Sequence, residues 1–421
     1  MKCNTKVILA MALMIGITTV GCQKNDIPVN KSQSTDEATV TPTMTNDLSE
    51  VTSEKITLKV WESEDGSDEF IKEAGKEFKK QYPNINIKFE NVEVANTATK
   101  IIEQEGAGSD IFVTHHDRLG ELVKGEYILP VRDQAYVKEN ALQACTSAVT
   151  YDEQIYGYPV ASETYALFYN KDLISAEQVP KTWVDLKEFC QTFNESNNGK
   201  YGFMMEVDSG YYTILFTTSK NNRLFGPTGQ DISNTNINTE ASKQGMKFFK
   251  SLRTILDVPP EDLTVEKCDE AFAAGNVALY ITGPWNIKKF QEAGINFGVT
   301  TLPSLPGETT PAASFSGTRA MVISSKTKHP VEADLFAKFL MSEKMQKLRF
   351  QLTDSLPAID CDVDSSYVPG LLKQLEYAFP MPSVPQMQSY WMAMKSTCEN
   401  IWNGADIDVE LTSCNNSILA Y

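Results

Sequence analysis

Hydrophobic and polar residues follow two different periods at the start of the main body of the chain. Over residues 56–60 apolar side chains alternate with polar ones, which predicts a half-buried β-strand. Phe70, Ala74 and Phe78 then recur at four-residue spacing, which places them on one face of a helix. A short loop over residues 62–67 connects the predicted strand to the predicted helix.

Further segments of the same kind follow. Asp68 is the expected N-cap of the first helix. Residues 85–89 alternate as a second strand, Ile101 lies in a second helix, and residues 110–113 form a short buried strand. This order predicts a parallel sheet covered by helices on both faces. Because ligands bind beyond the carboxyl ends of such strands, the loops after the first and third strands are candidate site loops.

Alternating strand and helix patterns also occur later in the chain. Residues 165–169 and 277–282 are typical of strands, and residues 240–256 and 330–341 are typical of helices. No unit of about 20 to 50 residues repeats, so a solenoid is not expected. The pattern predicts an α/β fold.

The N-terminus has the features of a secretory signal. Lys2 and Lys6 precede a largely apolar run over residues 7–20, which is shorter than the roughly 20 residues a permanent membrane helix needs. Thr19 to Cys22 resembles the lipobox of bacterial lipoproteins, in which the cysteine is lipidated and becomes the first residue, although Thr19 replaces the usual leucine. A plain signal peptide with a chance cysteine is the alternative. We expect residues 1–21 to be the lipoprotein signal peptide.

The segment that follows is polar. Residues 22–54, which begin with the lipidated cysteine, contain no aromatic residue and are rich in Ser, Thr, Asp, Glu and Asn. Such a segment buries too little apolar surface to offset its ordering entropy, which predicts a disordered tether. The remaining residues exceed what one core usually serves, so two domains are expected.

Composition and charge exclude some functions. The formal net charge is −17, which disfavours nucleic-acid binding and adhesion to anionic lipid because both need a basic surface. Beyond Cys3 and Cys22, six cysteines remain, and they allow 15 pairings among which the sequence does not choose. Because a body of this size needs no disulfide staples, we expect mostly buried free thiols.

Motifs for phosphate and metal chemistry are missing from the sequence. It contains no phosphate-binding loop, no dinucleotide-binding glycine motif and no H-E-x-x-H. The acidic loop at residues 62–66 lacks carboxylates at the first and twelfth positions of a calcium loop. His115 and His116 could bind a metal, but only His329 remains as a further histidine. We expect no metal and no cofactor.

Four stretches carry a family resemblance. They are residues 109–120 (SDIFVTHHDRLG), 158–183, 283–303 (beginning GPW) and 381–391 (MPSVPQMQSYW). These stretches resemble the bacterial extracellular solute-binding proteins of carbohydrate ABC importers, most of all the maltose/maltodextrin-binding members. The likeness runs from about residue 56 to residue 404.

The resemblance implies a two-lobed periplasmic-binding-protein-like fold, with hinge crossings and a central ligand cleft. The crossings fall near Glu163, near Gly317 and within residues 362–369. The implied lobes are then residues 55–162 plus 319–362 and residues 163–318 plus 363–421.

The resemblance also implies a sugar site. Carried over position by position, it places Asp65, Asp117, Arg118 and Glu163 on sugar hydroxyls, Tyr211, Trp285 and Trp391 on sugar faces, and Met381 on the cleft wall. Aromatic rings stack on the apolar faces of a pyranose, and charged groups form strong hydrogen bonds with its hydroxyls.

Each assignment has a structural alternative. Asp117 and Arg118 could form a surface ion pair, Glu163 could brace a crossing strand, Trp391 could pack in the core, and Tyr212 could replace Tyr211. Trp61 and Trp183 are expected in the core.

Five positions depart from the maltodextrin-binding pattern. Gly66, Thr114, Ser209, Met392 and Lys395 stand where that pattern has lysine, tryptophan, glutamate, tyrosine and arginine. Several hydroxyl contacts are thereby changed, so the sequence favours an oligosaccharide without fixing it as a maltodextrin.

Together these features predict a lipid-anchored, substrate-binding subunit of a carbohydrate ABC importer on the extracellular face of the membrane. Its expected partners are an oligosaccharide, the permease subunits and the membrane through Cys22; we expect a monomer and no enzymatic activity. One rival is a secreted glycoside hydrolase that uses Asp117 and Glu163 as its carboxylate pair. Another is a lipoprotein that binds peptide or metal.

Overall fold

Two sheets with covering helices form the body of the protein. The computed structural model describes residues 51–64 and 66–420. The predicted signal peptide, Cys22, most of the predicted tether and Asp65 lie outside these residues.

The first sheet gathers strands from both halves of the chain. Its strands are β1 (Ile56–Glu62), β2 (Ile85–Asn91), β3 (Ile111–His115), β4 (Ile128–Leu129), β7 (Tyr158–Thr164), β12 (Phe315–Ser324) and β13 (Phe379–Pro380). β1 pairs in parallel with β2 and β3, which confirms the predicted β-α-β order. β12 runs antiparallel to β3, β4 and β7, so the prediction of a purely parallel sheet is wrong. The cause is that β12 returns from the second half of the chain in the opposite direction.

The second sheet is smaller and also mixed. Its strands are β8 (Ala166–Asn170), β9 (Tyr201–Met204), β10 (Val277–Thr282) and β11 (Phe297–Thr300), and a separate hairpin consists of β5 (Thr150–Tyr151) and β6 (Gln154–Ile155). β8 is antiparallel to β10 and β11, whereas β9 is parallel to β10. All six residues of β10 are buried, as expected for a central strand.

Helices cover the sheets. They are α1 (Ser67–Gln81), α2 (Val94–Glu103), α3 (Leu119–Lys124), α4 (Gln134–Asn140), α5 (Gln143–Ala148), α6 (Trp183–Ser196), α7 (Gly210–Thr213), α8 (Glu240–Ser251), α9 (Val265–Ala273), α10 (Ile287–Glu292), α11 (Pro330–Leu340), α12 (Glu343–Thr353), α13 (Val368–Leu375), α14 (Met387–Trp402) and α15 (Ile407–Leu419). α1 buries Phe70, Ala74 and Phe78, the face that the periodicity predicted.

The start of α1 differs from the prediction. The helix begins at Ser67 after Gly66, which has a φ of 94°, so Asp68 is not its N-cap but lies in its first turn. A β-carbon at Gly66 would lie 2.7 Å from the carbonyl oxygen of Leu352. The close approach of α12, which local sequence does not reveal, therefore decides where α1 starts.

Two hydrophobic cores form, one beneath each sheet. One combines buried residues of β1 to β3 with those of β12, α11 and α12, and it contains Trp61. The other combines β8 to β11 with α13 to α15, and it contains Trp183. Both tryptophans are core residues, as predicted. Cys145, Cys190, Cys268, Cys398 and Cys414 are buried free thiols and Cys361 is a half-buried one, which confirms that prediction.

The chain passes between the sheets near two predicted crossings. β7 belongs to the first sheet and ends at Thr164, and β8 of the second sheet begins two residues later. β11 of the second sheet is followed by β12, which lies beside β7 and pairs Gly317 with Glu163. These paired crossing strands form the floor on which the candidate site is built.

Candidate functional site

The crossing strands carry a mostly buried ion pair. Arg319 donates from Nε to Oε1 of Glu163 over 3.0 Å, and the two side chains are only 16% and 18% exposed. Burial by itself opposes ionisation of Glu163, but the positive groups around it, Arg319 first among them, together outweigh burial and hold the pKa of this carboxyl below its ordinary value. Glu163 therefore remains a carboxylate and keeps acceptor capacity for hydroxyl donors.

Gly317 leaves space above the crossing strands. A β-carbon at this position would lie 3.2 Å from Oε2 of Glu163 and 3.6 Å from Cε of Met381. The buried Met381 reaches this point because its main-chain N–H donates to the carbonyl oxygen of Ser316 over 3.1 Å. The side chains of Glu163 and Met381 therefore approach each other above Gly317 of β12, because this residue has no side chain to separate them.

His116 attaches the turn after β3 to the Met381 segment and to β12. Thr318 N–H donates to Nδ1 of His116 over 3.1 Å, so Nε2 of this ring is the donor to the carbonyl oxygen of Met381 at 2.9 Å. Burial lowers the pKa of His116 and keeps the ring neutral. Asp117 and Arg118, which follow in the same turn, are thereby held next to the Met381 segment.

Asp117 and Arg118 do not form the ion pair that was their structural alternative. Arg118 instead donates from Nη2 to Oε1 of Glu121, one turn farther along. Its Nε is buried and has no acceptor within residues 51–64 and 66–420. Asp117 is half-buried, and no hydrogen bond joins its carboxylate to the described residues. Asp117 and the Nε of Arg118 therefore keep hydrogen-bonding capacity that the described residues do not use.

A row of aromatic rings lies beside the ion pair. The ring centroids of Trp285 and Tyr211 are 6.2 Å apart, those of Tyr211 and Phe315 are 6.2 Å apart, and those of Phe315 and Trp391 are 6.0 Å apart. We call these four residues the aromatic row. Trp285 is 44% exposed, whereas Tyr212, the alternative to Tyr211, is buried. Phe315 is buried, Tyr211 and Trp391 are half-buried, and Trp285 is the member of the row that lines a cavity together with the Glu163 carboxylate.

Glu163 lies close enough to the aromatic row to act on it electrostatically. Burial raises the pKa of Tyr211 well above its ordinary value, and the nearby charge of Glu163 raises it further. Tyr211 therefore keeps its phenolic proton and can donate a hydrogen bond.

The turn that carries Trp285 is fixed by a buried carboxylate. Asn286 donates from Nδ2 to Oδ1 of Asp269 over 2.5 Å and to Oγ1 of Thr282 over 2.8 Å. Tyr280 donates its hydroxyl to the same Asp269 oxygen over 2.7 Å. Burial raises the pKa of Asp269, which these donors partly offset. The network holds the 3₁₀ turn Pro284–Asn286 at the end of β10.

Tyr211 is positioned by α14. Tyr390 donates its hydroxyl to the carbonyl oxygen of Gly210 over 2.8 Å. A β-carbon at Gly210 would lie 2.8 Å from Cβ of Met394, so the close contact of α7 with α14 requires glycine here. Trp391 is also on α14. This helix therefore carries one ring of the aromatic row, Trp391, and positions a second, Tyr211, through Tyr390.

A polar cavity of about 540 Å³ adjoins Trp285 and the ion pair. Its lining consists of Glu163, Pro284, Trp285, Lys288, Gln291, Glu292, Arg319 and residues 351–355. The lining combines α10, beside the second sheet, with the end of α12, beside the first. Leu352 in this lining lies against Gly66, where a β-carbon would be 2.7 Å from the Leu352 carbonyl oxygen.

The structure brings most of the predicted site residues together. Glu163, Tyr211, Trp285, Met381 and Trp391 converge on the crossing strands, and Asp117 and Arg118 are docked there by His116. Asp65 lies outside the described residues.

Sequence reasoning missed four residues. Arg319 and Phe315 are on β12, two positions on either side of Gly317, and this alternation was a usable signal. Asp269 and Asn286 act through long-range contacts, for which the sequence has no local signature.

The described residues contain neither a cluster suited to a metal ion nor a helix suited to crossing a membrane. No group of three or more His, Cys, Asp or Glu side chains in these ranges could hold a metal ion. None of the helices there has both the length and the apolar character needed to cross a bilayer.

Comparison with known proteins identifies several similar sequences. The galactooligosaccharide-binding protein of Bacillus subtilis (strain 168) is 28% identical over 366 residues, with 82% of this chain and 85% of the relative covered. The maltooligosaccharide ABC transporter solute-binding lipoprotein of Streptococcus pneumoniae (strain ATCC BAA-255 / R6) is 26% identical, with 79% and 81% covered.

Solved structures are similar as well. A cyclo/maltodextrin-binding protein in complex with maltotetraose superimposes with a TM-score of 0.79 at 29% identity, with 86% of this chain and 96% of that chain covered. An extracellular solute-binding protein of Staphylococcus aureus in complex with maltose gives a TM-score of 0.77 at 25% identity, with 86% and 97% covered. These similarities confirm the predicted two-lobed fold.

A protein-family model also matches most of the chain. The model described as bacterial extracellular solute-binding protein matches residues 61–347, more than half of the sequence. This match confirms the predicted family, and the chain belongs to the bacterial extracellular solute-binding proteins.

Proposed function

We propose that this protein is the carbohydrate-binding subunit of an ABC importer and that it captures an oligosaccharide between two closing lobes. The aromatic row carries the proposal, because the exposed ring of Trp285 and the half-buried rings of Tyr211 and Trp391, near the Glu163 carboxylate, are the kinds of surface that a pyranose needs. Relatives named for galactooligosaccharide and maltooligosaccharide binding support the ligand class.

Each site residue has a proposed role. Trp285, Tyr211 and Trp391 stack on sugar faces, and Met381 forms the apolar wall between them. Glu163, Asp117, Arg118 and Asp65 bind sugar hydroxyls with charge-assisted hydrogen bonds. Arg319 keeps Glu163 ionised and oriented, and is a positioning residue.

The two cores support the proposed lobes, residues 55–162 plus 319–362 and residues 163–318 plus 363–421. The cavity is lined by α10 from one core and by the end of α12 from the other. A sugar that contacts both sides favours the closed state in proportion to its differential affinity for that state. Closure would then bring the residues of α12 toward Trp285.

The proposal includes an anchor and a partner. Cys22 would carry the lipid after removal of residues 1–21, and residues 23–54 would hold the body off the membrane at a span of roughly 30 Å. The protein would act as a monomer on the extracellular face and deliver sugar to membrane permease subunits. The description of the family as extracellular and the lipoprotein among the relatives support this placement.

A glycoside hydrolase is the competing function. It would need Asp117 and Glu163 to act as an acid and a base or nucleophile. The Arg319 guanidinium disfavours protonation of Glu163, so this residue is unsuited to be the general acid. Family membership also favours binding over turnover.

One experiment separates these functions. The full-length chain is incubated with malto-oligosaccharides, cyclodextrins, galacto-oligosaccharides and β-linked glucans, and thermal stability and reducing ends are both measured. We expect one class to raise the unfolding temperature, since binding to the folded state stabilises it, without any release of reducing ends. Release of reducing ends would reject the binding function, and the absence of a thermal shift with every sugar would reject the ligand class.

Replacing Trp285 with alanine should weaken the best sugar by at least about 1 kcal/mol, roughly fivefold in Kd, because an exposed stacking face is lost. Isothermal titration calorimetry measures the change. Val409→Ala, which removes another exposed apolar side chain in the first turn of α15, is the control and should leave Kd unchanged. An unaltered Kd in the Trp285 variant would remove this residue from the site.

Gly283→Ala tests the orientation of the same ring without deleting it. A β-carbon at Gly283 would lie 2.2 Å from two atoms of the Trp285 six-membered ring, so the indole must move. We expect sugar affinity to fall about threefold or more and the unfolding temperature to change less than in core variants. Wild-type affinity in this variant would show that the observed position of the indole is not required.

A further inference from the structure

A second cavity, of about 440 Å³, is lined by none of the four residues of the aromatic row, although Phe379 in its lining packs against Phe315 with ring centroids 4.9 Å apart. It is bounded by α5 and β5 on one side, by the loop at residues 223–230 on another, and by residues 379–383 behind. Hydroxyl-bearing residues are frequent in its lining: Thr146, Ser147, Thr150, Thr228 and Ser383. The cavity is large enough for a small organic molecule.

Arg223 is a cation in this cavity without a carboxylate partner. Its Nη1 donates to the main-chain carbonyl oxygens of Asn222 at 2.8 Å and Thr218 at 3.4 Å, and its guanidinium lies 4.8 Å from the ring centroid of Phe379. None of the ion pairs within residues 51–64 and 66–420 includes Arg223. Burial lowers the pKa of this guanidinium, which shows that the charge is held partly away from water at a cost.

Thr146 supplies a second unsatisfied group. Its hydroxyl oxygen is buried and has no hydrogen-bond partner among the described residues. Buried hydroxyls in native proteins are nearly always paired, so an unpaired one in a cavity wall indicates a missing partner. The cation and the hydroxyl belong to two different segments that line the same cavity, and one ligand could satisfy both.

We propose that this cavity is a second ligand site, which binds a small monocarboxylate carrying hydroxyl groups, with Arg223 on the carboxylate and the threonine and serine hydroxyls on the rest. Arg223 has a planar fork of donors suited to a carboxylate. A single cation in the cavity matches one negative charge, and the net charge of −17 disfavours a dianion such as phosphate. The site would border the proposed sugar cleft, since Met381 lines it, but it would have its own cation, because Trp285, Glu163 and Arg319 do not line it.

The test measures binding of D-gluconate to the full-length chain by calorimetry at constant ionic strength. Glucitol, which lacks the carboxylate, and inorganic phosphate serve as comparison probes. We expect gluconate to bind, both comparison probes to bind at least tenfold more weakly, and Arg223→Gln to weaken gluconate roughly tenfold or more. Equal affinity for glucitol, or tighter binding of phosphate, would overturn the proposed ligand class.

Two further variants distinguish a specific loss of gluconate binding from a general loss of folding. Lys220→Gln removes the same charge from an exposed neighbour that does not line this cavity, and should leave gluconate affinity unchanged. Thr146→Val removes the buried hydroxyl and should weaken gluconate about threefold or more while leaving sugar affinity at the cleft intact. No gluconate binding by the wild-type chain, or the same loss in the Lys220 variant as in the Arg223 variant, would overturn the proposal. A failure of the sugar screen would leave this test unaffected, because neither variant touches the cleft.

Discussion

Replacing Arg349 with methionine should destabilise the protein by about 3 to 5 kcal/mol, the largest effect we expect from any single change. Arg349 donates from Nη1 to Oε2 of Glu62 over 3.1 Å, and the two side chains are 1% and 0% exposed. Its Nη2 donates to Oγ of Ser67 over 3.0 Å, and its guanidinium lies over the ring of Phe70. The variant leaves the Glu62 carboxylate buried without its counter-ion, which is the main cost.

The pair joins two segments that border the candidate site. Glu62 ends β1, and its Oε1 accepts from the N–H of Ser63 over 3.1 Å, in the loop that leads to Asp65. Arg349 is on α12, whose last residues line the 540 Å³ cavity. We therefore expect the Arg349 variant to lose sugar affinity as well as stability, because both sides of the loop lose their fixed position.

Urea unfolding followed by circular dichroism measures the change in stability. Lys347→Met on the same helix is the control, since it removes an exposed ion pair with Glu343 and should cost about 1 kcal/mol at most. The double variant Glu62→Gln with Arg349→Met should recover part of the loss, because no unpaired charge remains. A loss in the Arg349 variant no larger than in the Lys347 control would contradict the assigned role of this pair.

The sequence predicted those features that depend on local pattern. Alternation at residues 56–60 and the spacing of Phe70, Ala74 and Phe78 gave β1 and the buried face of α1, because period and burial are directly linked. Asp68 was assigned wrongly as an N-cap because the start of α1 depends on Leu352, almost 300 residues away. The purely parallel sheet was predicted wrongly because β12, which the pattern analysis did not assign, enters the first sheet from a distant part of the chain.

In the candidate site, too, residues within local motifs were predicted and residues that act through long-range contacts were not. Family resemblance identified residues that face the cleft, such as Trp285 and Glu163, because such positions lie within recognisable motifs. It did not identify Arg319, which contacts Glu163 across 156 positions, or Asp269, which holds the Trp285 turn through Asn286. Supporting residues are set by three-dimensional proximity, and a single sequence contains no direct record of it.

Replacing Glu163 with glutamine should weaken sugar binding at least tenfold and destabilise the protein by about 2 to 3 kcal/mol. The neutral amide cannot balance Arg319, whose side chain is only 16% exposed, and it accepts hydroxyl hydrogen bonds less strongly than a carboxylate. We place the stability effect below that of Arg349 because both groups of this pair retain some contact with water.

A double-mutant cycle isolates the pair. Glu163→Gln, Arg319→Gln and the combined variant are compared by urea unfolding, and we expect a coupling free energy of about 1 kcal/mol or more. Glu77→Gln is the control, because Glu77 pairs with lysines on the surface and should leave sugar affinity unchanged. Additive effects in the cycle would show that Arg319 does not act through Glu163.

The pH dependence of sugar affinity supplies an independent check. Because the pKa of Glu163 lies below its ordinary value of about 4.3 in the folded protein, its contribution is complete at neutral pH and is lost only as the pH falls through the lowered pKa. Wild-type affinity should therefore stay constant from about pH 8 to pH 5 and decrease below about pH 4. The Glu163→Gln variant should show a smaller decrease than the wild type, the remainder belonging to the proposed aspartate ligands, and a wild-type affinity that changes between pH 5 and pH 8 would assign the dependence to another group.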